Sequence, residues 1–237
     1  MPTGTSACAI RPSPERFLLS RSRSPEFVDE SDIMEFGLDG KVVGRDNRPP
    51  YLERFIHAGL YAARPDVNAV VHGHARVLIP FTIADIVMRP VFMTADEIGP
   101  HVPVGDIRDK FGESTDMLIT NMDHGTDLAR AFGADDRVVL LRGHGFVAAA
   151  RSASQLIRVG RALLDNAASQ LEAMRFGSLN ELTAGEIAAR RASLADDDSP
   201  GLMRGFEYDA IQAGLSHLLD RRAALKGQAR GAEGTRS

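Results

Sequence analysis

Residues 72 to 74 read His-Gly-His at the end of an apolar run, Asn68-Ala69-Val70-Val71. Side chains at i and i+2 of a strand point to the same face, so the imidazoles of His72 and His74 can meet at one point. Gly73 removes bulk between them. His144 stands between two glycines after a second apolar run, Val138-Val139-Leu140-Leu141, so it too can lie at the exposed end of a strand. Three imidazoles with one coordination position left open are the ligand set of a catalytic divalent metal. The residues alone also satisfy a plainer reading, in which strand-end histidines close a sheet and hydrogen-bond to backbone.

The segment before His72 adds a carboxylate. Glu53, His57 and Tyr61 are spaced i, i+4, i+8 and share one helical stripe beside the apolar face. A tight Arg64-Pro65-Asp66 link to the following strand can bring Glu53 back over the histidine end. A solvated surface acid at 53, with boundary residues at 57 and 61, has the same spacing. Asp96, Glu97 and His101 lie in a Gly/Pro-bounded stretch and are secondary candidates for the site, with surface polarity and local capping as the simpler role. His124 and His217 read as surface histidines.

These groups need a scaffold of strands and helices. The first eleven residues lack periodicity and read as a ragged start. Arg16 to Ser20 reads as a short strand, followed by a Ser-Arg-Ser-Arg-Ser-Pro loop. Ile33–Phe36 and Lys41–Val43 flank Leu38-Asp39-Gly40, where Asp-Gly predicts a hairpin. Leu52, Phe55, Ile56, Gly59, Leu60 and Ala63 predict a helix over 51–63, closed by Pro65. Strands are expected over 68–74 and 138–141, a short helix over 126–132, and an amphipathic helix from Ser152 to about Arg175. Residues 77–92 mix short apolar runs with prolines and give no assignment, and Gly99 to Pro103 is a loop. Further helices are expected over 183–226 and a frayed polar tail over 227–237. No repeat or linker divides the chain, so a single α/β domain over 1–237 is the economical expectation.

Composition narrows the function. The 237 residues have ordinary hydrophobic and charged fractions, which excludes a disordered or fibrous chain. A net charge of −4 gives no electrostatic footprint for nucleic acid. No apolar run reaches the roughly 20 residues that span a bilayer, and MPTGTSACAIR has no apolar segment of a secretory signal. Cys8 is the only cysteine, which excludes a disulfide framework and a cysteine-rich zinc module. A cytoplasmic location is the expectation. Of 28 basic residues 25 are Arg, each a planar fork suited to carboxylates.

Glu53-xxx-His57-xxx-Tyr61-xx-Arg64-Pro65-Asp66-x-Asn68-Ala69-Val70-Val71-His72-x-His74-Ala75, followed by Leu140-Leu141-Arg142-x-His144-Gly145, closely resembles the class II aldolase/adducin family over about residues 16 to 175. The resemblance implies an α/β fold with a central β-sheet layered with helices, and a homo-oligomer, usually a four-fold tetramer with sites between subunits. It implies that His72, His74 and His144 ligate one divalent ion per chain, Zn2+ or Mn2+ with Co2+ as a further candidate. It makes Glu53 the catalytic acid/base, which in the resting state can also reach the metal. Adducin-type members have lost the metal; this chain keeps the whole set, which favours an enzyme.

Two departures refine the expectation. Sugar-phosphate aldolases of the family bind phosphate through a Thr-Gly loop and a Ser-Ser before the catalytic Glu. Here those serines are Tyr51 and Leu52, and the loop is Ser20-Arg21-Ser22-Arg23-Ser24-Pro25-Glu26. Arg21 and Arg23 beside an apolar wall of Tyr51 and Leu52 suit a planar carboxylate better than a flexible sugar phosphate. The Ser-Arg-Ser-Arg loop, Leu52–His57 and Val104-x-Asp106-Ile107-Arg108-Asp109 are most similar to the branch that decarboxylates hydroxylated aromatic dicarboxylates, such as 3,4-dihydroxyphthalate and 3-hydroxy-2-methylpyridine-4,5-dicarboxylate. Arg204-Gly205-Phe206-Glu207-Tyr208 adds a weaker likeness to an aromatic motif of that branch. The second departure is a missing N-terminal family helix: the chain starts only at something like the family's Ser-x-Arg strand (Ser6 to Arg11), so either the native start lies upstream or the member is trimmed. The expected activity is metal-dependent decarboxylation of a hydroxylated aromatic carboxylate. The alternatives are an aldolase acting on a non-phosphorylated hydroxy-keto acid and, from another class, a non-catalytic interaction protein.

Overall fold

The computed structural model describes residues 5–9, 13–193, 200–217 and 219–220. The chain divides into two compact units, Met1–Ser193 and Leu194–Ser237. The first holds a seven-stranded sheet in the order β3-β2-β1-β4-β7-β6-β5. The strands are β1 (Thr5–Ala9), β2 (Arg16–Ser20), β3 (Ile33–Gly37), β4 (Ala69–Gly73), β5 (Val104–Gly105), β6 (Val138–Leu141) and β7 (Gly145–Ala150). Every neighbouring pair is antiparallel except β5 and β6. The α/β class with a central sheet is as the sequence implied. β1 corrects the ragged start that the missing periodicity suggested and falls where the family resemblance placed a strand: the segment pairs with both β2 and β4 near the middle of the sheet. Backbone pairing from two neighbours decides its conformation, and a five-residue strand is too short to show a pattern.

Period-two alternation sorts the strand residues onto two faces. Val70, Val139, Leu141, Val147 and Ala149 face one core layer with helices α1 (Arg54–Ala63) and α4 (Met122–Ala131). Ala69, Val138, Leu140, Phe146, Ala148 and Ala150 face a second layer with helix α5 (Ala153–Ala173). All six residues of β7 are buried, which is why its sequence, Gly-Phe-Val-Ala-Ala-Ala, carries no alternation and announces no strand. By the same alternation His72 and His74 share the face of Val70, toward α1.

Several boundaries differ from the sequence reading. The Asp39-Gly40 turn forms, but its second arm makes only an isolated bridge between Phe36 and Val42. Helix α1 begins at Arg54 rather than Tyr51. Helix α4 starts earlier than expected, at Met122, because the Asn121 side chain accepts from His124 N–H and caps it. Ser152 caps α5 in the same way. Within 77–92 there is one 3-10 turn (Arg76–Leu78) and a four-residue helix, α2 (Pro80–Ile83). The following backbone has no strand partner. It bonds instead to two buried amides of α5: Asn166 accepts from Val91 N–H and donates to the Arg89 carbonyl, and Gln170 accepts from Arg89 N–H and donates to the Val87 carbonyl. That side-chain ladder has no periodic signature. Over 183–226 the described elements are α6 (Ala184–Ser193), in the first unit, and α7 (Pro200–Gln212), in the second, which carries the Arg204–Tyr208 motif. The expected tail over 227–237 lies outside the described residues.

Helices α1 and α4 cross at touching backbones. A Cβ on Gly59 would lie 2.3 Å from the Gly125 carbonyl oxygen, and one on Gly125 would lie 2.2 Å from that of Phe55. Because backbone cannot yield as a side chain can, Gly59→Ala should cost at least about 3 kcal/mol in urea unfolding, the upper end for overpacking. Gly160→Ala, in α5 with open space around it, should instead be neutral or stabilise by roughly 0.5 to 1 kcal/mol. Equal effects from the two substitutions would refute this helix contact.

Candidate metal centre

Glu53 occupies the N-cap position of α1, yet its side chain caps nothing. It reaches across to the strand ends instead. The ten residues of α1 rise about 15 Å, and β4 with its lead-in returns over a similar length. The turn between them, fixed by the Arg64–Asp66 ion pair at 2.8 Å and by Val67 N–H on the Arg64 carbonyl, therefore sets Glu53 beside the end of β4. Glu53 Oε2 lies 3.3 Å from His72 Nε2 and 3.7 Å from His144 Nε2. Its other oxygen accepts from Ile119 N–H at 3.3 Å.

The third histidine arrives through the β4–β7 ladder, which pairs Gly73 with Phe146. His144 is the last residue of the turn that leads into β7. A Cβ on Gly145 would lie 2.3 Å from the Gly73 carbonyl oxygen and 2.9 Å from the His74 ring, so only glycine lets the two strand ends approach this closely. The bulk that Gly73 avoids is the Phe146 ring, 2.9 Å from where its Cβ would be. His74 Nε2 then lies 3.1 Å from His72 Nε2 and 2.9 Å from His144 Nε2. The four ligand atoms of Glu53, His72, His74 and His144 all fall within 4.8 Å of one another.

The donor chemistry of this cluster fits a cation. His72 Nδ1 faces the Phe146 carbonyl at 3.0 Å, and a carbonyl only accepts, so Nδ1 carries the proton and the Nε2 lone pair points into the cluster. One proton can bridge only one of the two His74 contacts. Three imidazole nitrogens and a carboxylate oxygen facing a common point are the surroundings of a divalent ion. Tetrahedral ligands at 2.0–2.1 Å stand roughly 3.3 Å apart, near the nitrogen separations here. Burial, reinforced by the neighbouring His72, lowers the pKa of His74; burial also lowers that of His144, against the pull of Glu53. Both rings are therefore held neutral, as ligands must be. Burial pushes the Glu53 carboxyl up, but hydrogen bonding and positive charge on the histidine side, a place that a bound cation would take over, outweigh it, and the net shift is down.

Beside the cluster opens a cleft of about 580 Å³ lined by Ser22, Arg23, Ser24, Pro25, Tyr51, Leu52, Glu53, His72, His74 and Leu118. Arg23, Tyr51 and Leu52 thus meet Glu53, His72 and His74 around one space. Arg21 stands off this lining. Its Nε donates to Asp32 Oδ1 at 2.6 Å, while Arg23 Nη1 donates to Asp32 Oδ2 at 2.8 Å. Asp32 is buried, and the Arg21 hydrogen bond, aided by Asp29 N–H and Arg23 against the cost of burial, holds its carboxyl down to about 2. The Tyr51 hydroxyl donates to the Arg23 carbonyl. Asp32 is the residue that sequence reading missed, because nothing in Glu-Ser-Asp-Ile ties it to arginines nine and eleven residues earlier.

Other candidates lie elsewhere. His57 and Tyr61 are not boundary residues: both are buried and pack against Phe17. Asp96 and Glu97 are buried rather than surface residues, and Glu97 pairs with Arg137 and Arg158, at the end of β6 remote from His144. His101 faces Asp136 at 3.8 Å. His124 is half-buried, with its ring on Phe111 and Nδ1 3.2 Å from the Leu118 carbonyl. His217 is exposed.

Residues 3–171 match the class II aldolase and adducin N-terminal domain. The chain belongs to this family. Decarboxylase tropJ of Talaromyces stipitatus is 34% identical over 176 residues, 68% of this chain and 66% of that protein. A 3,4-dihydroxyphthalate decarboxylase of Arthrobacter keyseri is 32% identical over 154 residues, 60% of each chain. These matches span just under two thirds of the relatives' own lengths. Among solved structures, an aldolase II superfamily protein from Pseudomonas syringae superposes with a TM-score of 0.70 at 21% identity, over 90% of this chain and 83% of that one. L-fuculose 1-phosphate aldolase does so at 0.66 and 19%, over 81% and 86%. At these identities the structures share the fold. No helix among the described residues is long and apolar enough to cross a membrane.

Two outcomes follow from the cluster. Elemental analysis of the purified protein should find one divalent ion per chain, and His72→Ala/His74→Ala should find none; full occupancy in the double variant would refute the ligand set. The second concerns His57, which burial and the nearby His72 push down to about 3, with Glu53 opposing. Between pH ~6.5 and ~3 the unfolded chain then binds one proton more than the native chain at this position, so stability falls as pH falls, by about 1.4 kcal/mol per unit. In metal-free protein, His57→Gln should flatten the urea-unfolding slope between pH 6.5 and 4.5 by that amount. An unchanged slope would show that His57 titrates normally.

Proposed function

We propose that the chain is a divalent-metal-dependent decarboxylase of a hydroxylated aromatic carboxylate. One observation carries the reading: the cleft beside the three histidines and Glu53 is walled by Tyr51 and Leu52 and edged by the Arg23 guanidinium, with no paired serine hydroxyls before Glu53. The names of the relatives, a decarboxylase and a 3,4-dihydroxyphthalate decarboxylase, support it.

Each residue has a distinct task in this reading. The ring of a planar acid lies against Tyr51 and Leu52. Arg23, one nitrogen of which Asp32 already holds, offers its remaining N–H groups to a carboxylate that stays on the product. Arg21 and Asp32 keep that fork in place. His72, His74 and His144 would hold the ion, Zn2+, Mn2+ or Co2+, which would supply Lewis acidity for negative charge on the ring oxygen. Glu53, ionised at neutral pH, takes the proton of the ring hydroxyl as the substrate binds. Glu53 then delivers that proton to the ring carbon bearing the carboxylate that leaves, which interrupts the ring's aromaticity. When the C–C bond breaks and carbon dioxide leaves, its electron pair returns to the ring, which regains its aromaticity with the new C–H bond in place and the charge back on the ring oxygen. The homotetramer typical of the family and a cytoplasmic location belong to the same proposal. Phe27, at 65% exposure, is an apolar group that a neighbouring subunit would cover.

The test is carbon dioxide release from a panel of hydroxy-aromatic mono- and dicarboxylates, 3,4-dihydroxyphthalate among them, with the Mn2+, Zn2+ and Co2+ forms. Glu53→Gln should keep the fold and KM while kcat falls about 10²- to 10⁴-fold, the usual worth of a positioned proton donor. Arg23→Met should raise KM for a dicarboxylate roughly 10- to 150-fold, the equivalent of about 1.5 to 3 kcal/mol for a charge-assisted hydrogen bond, with metal content unchanged. Inactivity toward every aromatic acid, combined with cleavage of a hydroxy-keto acid to pyruvate and an aldehyde, would establish the aldolase reading instead.

A further inference from the structure

The turn that delivers His144 is held from outside the sheet. His144 N–H donates to the Leu141 carbonyl at 3.0 Å, which closes a four-residue β-turn, Leu141-Arg142-Gly143-His144. Gly143, at the third position, has φ +63°, and Met117 is the one non-glycine residue with positive φ among the described residues, so Arg142 has negative φ. That pattern is the type II turn. In such a turn the central peptide differs from its type I form by a flip of the Arg142–Gly143 plane, and glycine at the third position accepts both states. A flip would change the path of the backbone into His144 without breaking the turn's closing bond.

One side chain distinguishes the two states. Thr82, on α2, is buried at 6% exposure. Its hydroxyl donates to the Ile79 carbonyl at 2.8 Å, which fixes the proton and leaves an oxygen lone pair for the Gly143 N–H, 3.0 Å away. The flipped peptide would turn this N–H away and leave a buried lone pair facing a carbonyl. On the other side of the turn, Arg142 N–H donates to the Gly105 carbonyl and Arg142 Nε lies 2.8 Å from Asp106. The turn is therefore gripped at both central residues, and the grip on the peptide that can flip is Thr82.

We infer that Thr82 is a positioning residue of the metal centre: by selecting the type II peptide it aims His144 Nε2 at His72 and His74. It touches neither ligand nor substrate. The inference rests on the metal-centre reading of the three histidines and is independent of which reaction the site runs.

The test is Co2+ affinity, measured by competition with a chromophoric chelator, together with thermal stability of the metal-free protein. Partners one shell outside the ligands typically contribute 10- to 100-fold to metal affinity. Thr82→Val, which keeps the shape and removes the acceptor, should weaken Co2+ by an amount in that range and alter the visible Co2+ spectrum. Thr82→Ser, which keeps the hydroxyl, should bind as the wild type does. Should Thr82→Val fail to fold, Thr82→Ala provides the same comparison without the added methyl. Wild-type affinity in a folded variant that lacks the hydroxyl, even with a lowered melting temperature, would reduce Thr82 to a structural role and overturn the inference. So would loss of affinity in Thr82→Ser equal to that in Thr82→Val. A wild type that binds no Co2+ would overturn the metal reading itself, a result distinct from either.

Discussion

The end of β7 approaches β4 so closely that the Gly73 carbonyl occupies the space where a side chain at position 145 would begin. That contact brings His144 Nε2 to 2.9 Å from His74 Nε2, which itself lies 3.1 Å from His72 Nε2, and the rest of the site is arranged around it. Three nitrogen lone pairs and a carboxylate at this separation repel one another unless a cation lies between them. The protein keeps them together because the surrounding backbone is hydrogen-bonded sheet, buried on both faces, which cannot relax to separate them. Glu53 completes the set from a helix whose position is fixed by backbone contact at Gly59 and Gly125. The site is thus built on rigid elements, as a metal centre of defined geometry needs.

Its electrostatics follow from the same burial. Desolvation lowers the affinity of His74 and His144 for protons, and a proton is the competitor of a metal ion for these nitrogens. The Glu53 carboxyl is held down because positive charge facing it offsets the cost of burying it. A few ångströms away, Asp32 organises positive charge. It takes one nitrogen from each of Arg21 and Arg23, so a flexible basic loop becomes a fixed fork at the edge of the cleft.

The clustering of Glu53, His72, His74 and His144 could be anticipated from the sequence because period-two geometry translates HxH directly into two imidazoles on one face, and because His144 and Glu53 are placed by apolar runs of ordinary pattern. The parts that could not be read depend on contacts without a local signature. β1 is a strand because β2 and β4 pair with it, and β7 carries no alternation because both of its faces are covered. The backbone over 87–91 is satisfied by two amides of α5 far along the chain. The helical stripe Glu53-His57-Tyr61 was periodic, but the helix starts one residue after Glu53, which separates the acid that faces the histidines from the His and Tyr that enter the core. Asp32 and Thr82 act across eleven and sixty-one residues of sequence, distances at which spacing carries no information.

The cleft's composition also bears on selectivity. A site that discriminates by hydrogen bonds rejects analogues strongly, because an absent partner leaves a buried polar group unpaired; an apolar wall discriminates weakly. Tyr51 and Leu52 therefore do little to choose among aromatic rings, and Tyr51 has already given its hydroxyl proton to the Arg23 carbonyl. A polyol, which would need donors and acceptors along its length, finds few on this wall. On the proposed reading, the choice among acids falls to the Arg23 fork, which Asp32 holds by one nitrogen while the Tyr51 hydroxyl holds the Arg23 backbone carbonyl. On the proposed decarboxylase reading, substrates should thus be sorted by the distance and angle between the carboxylate that is retained and the hydroxyl beside the carboxylate that leaves. Ring substituents that point along the apolar wall should matter much less.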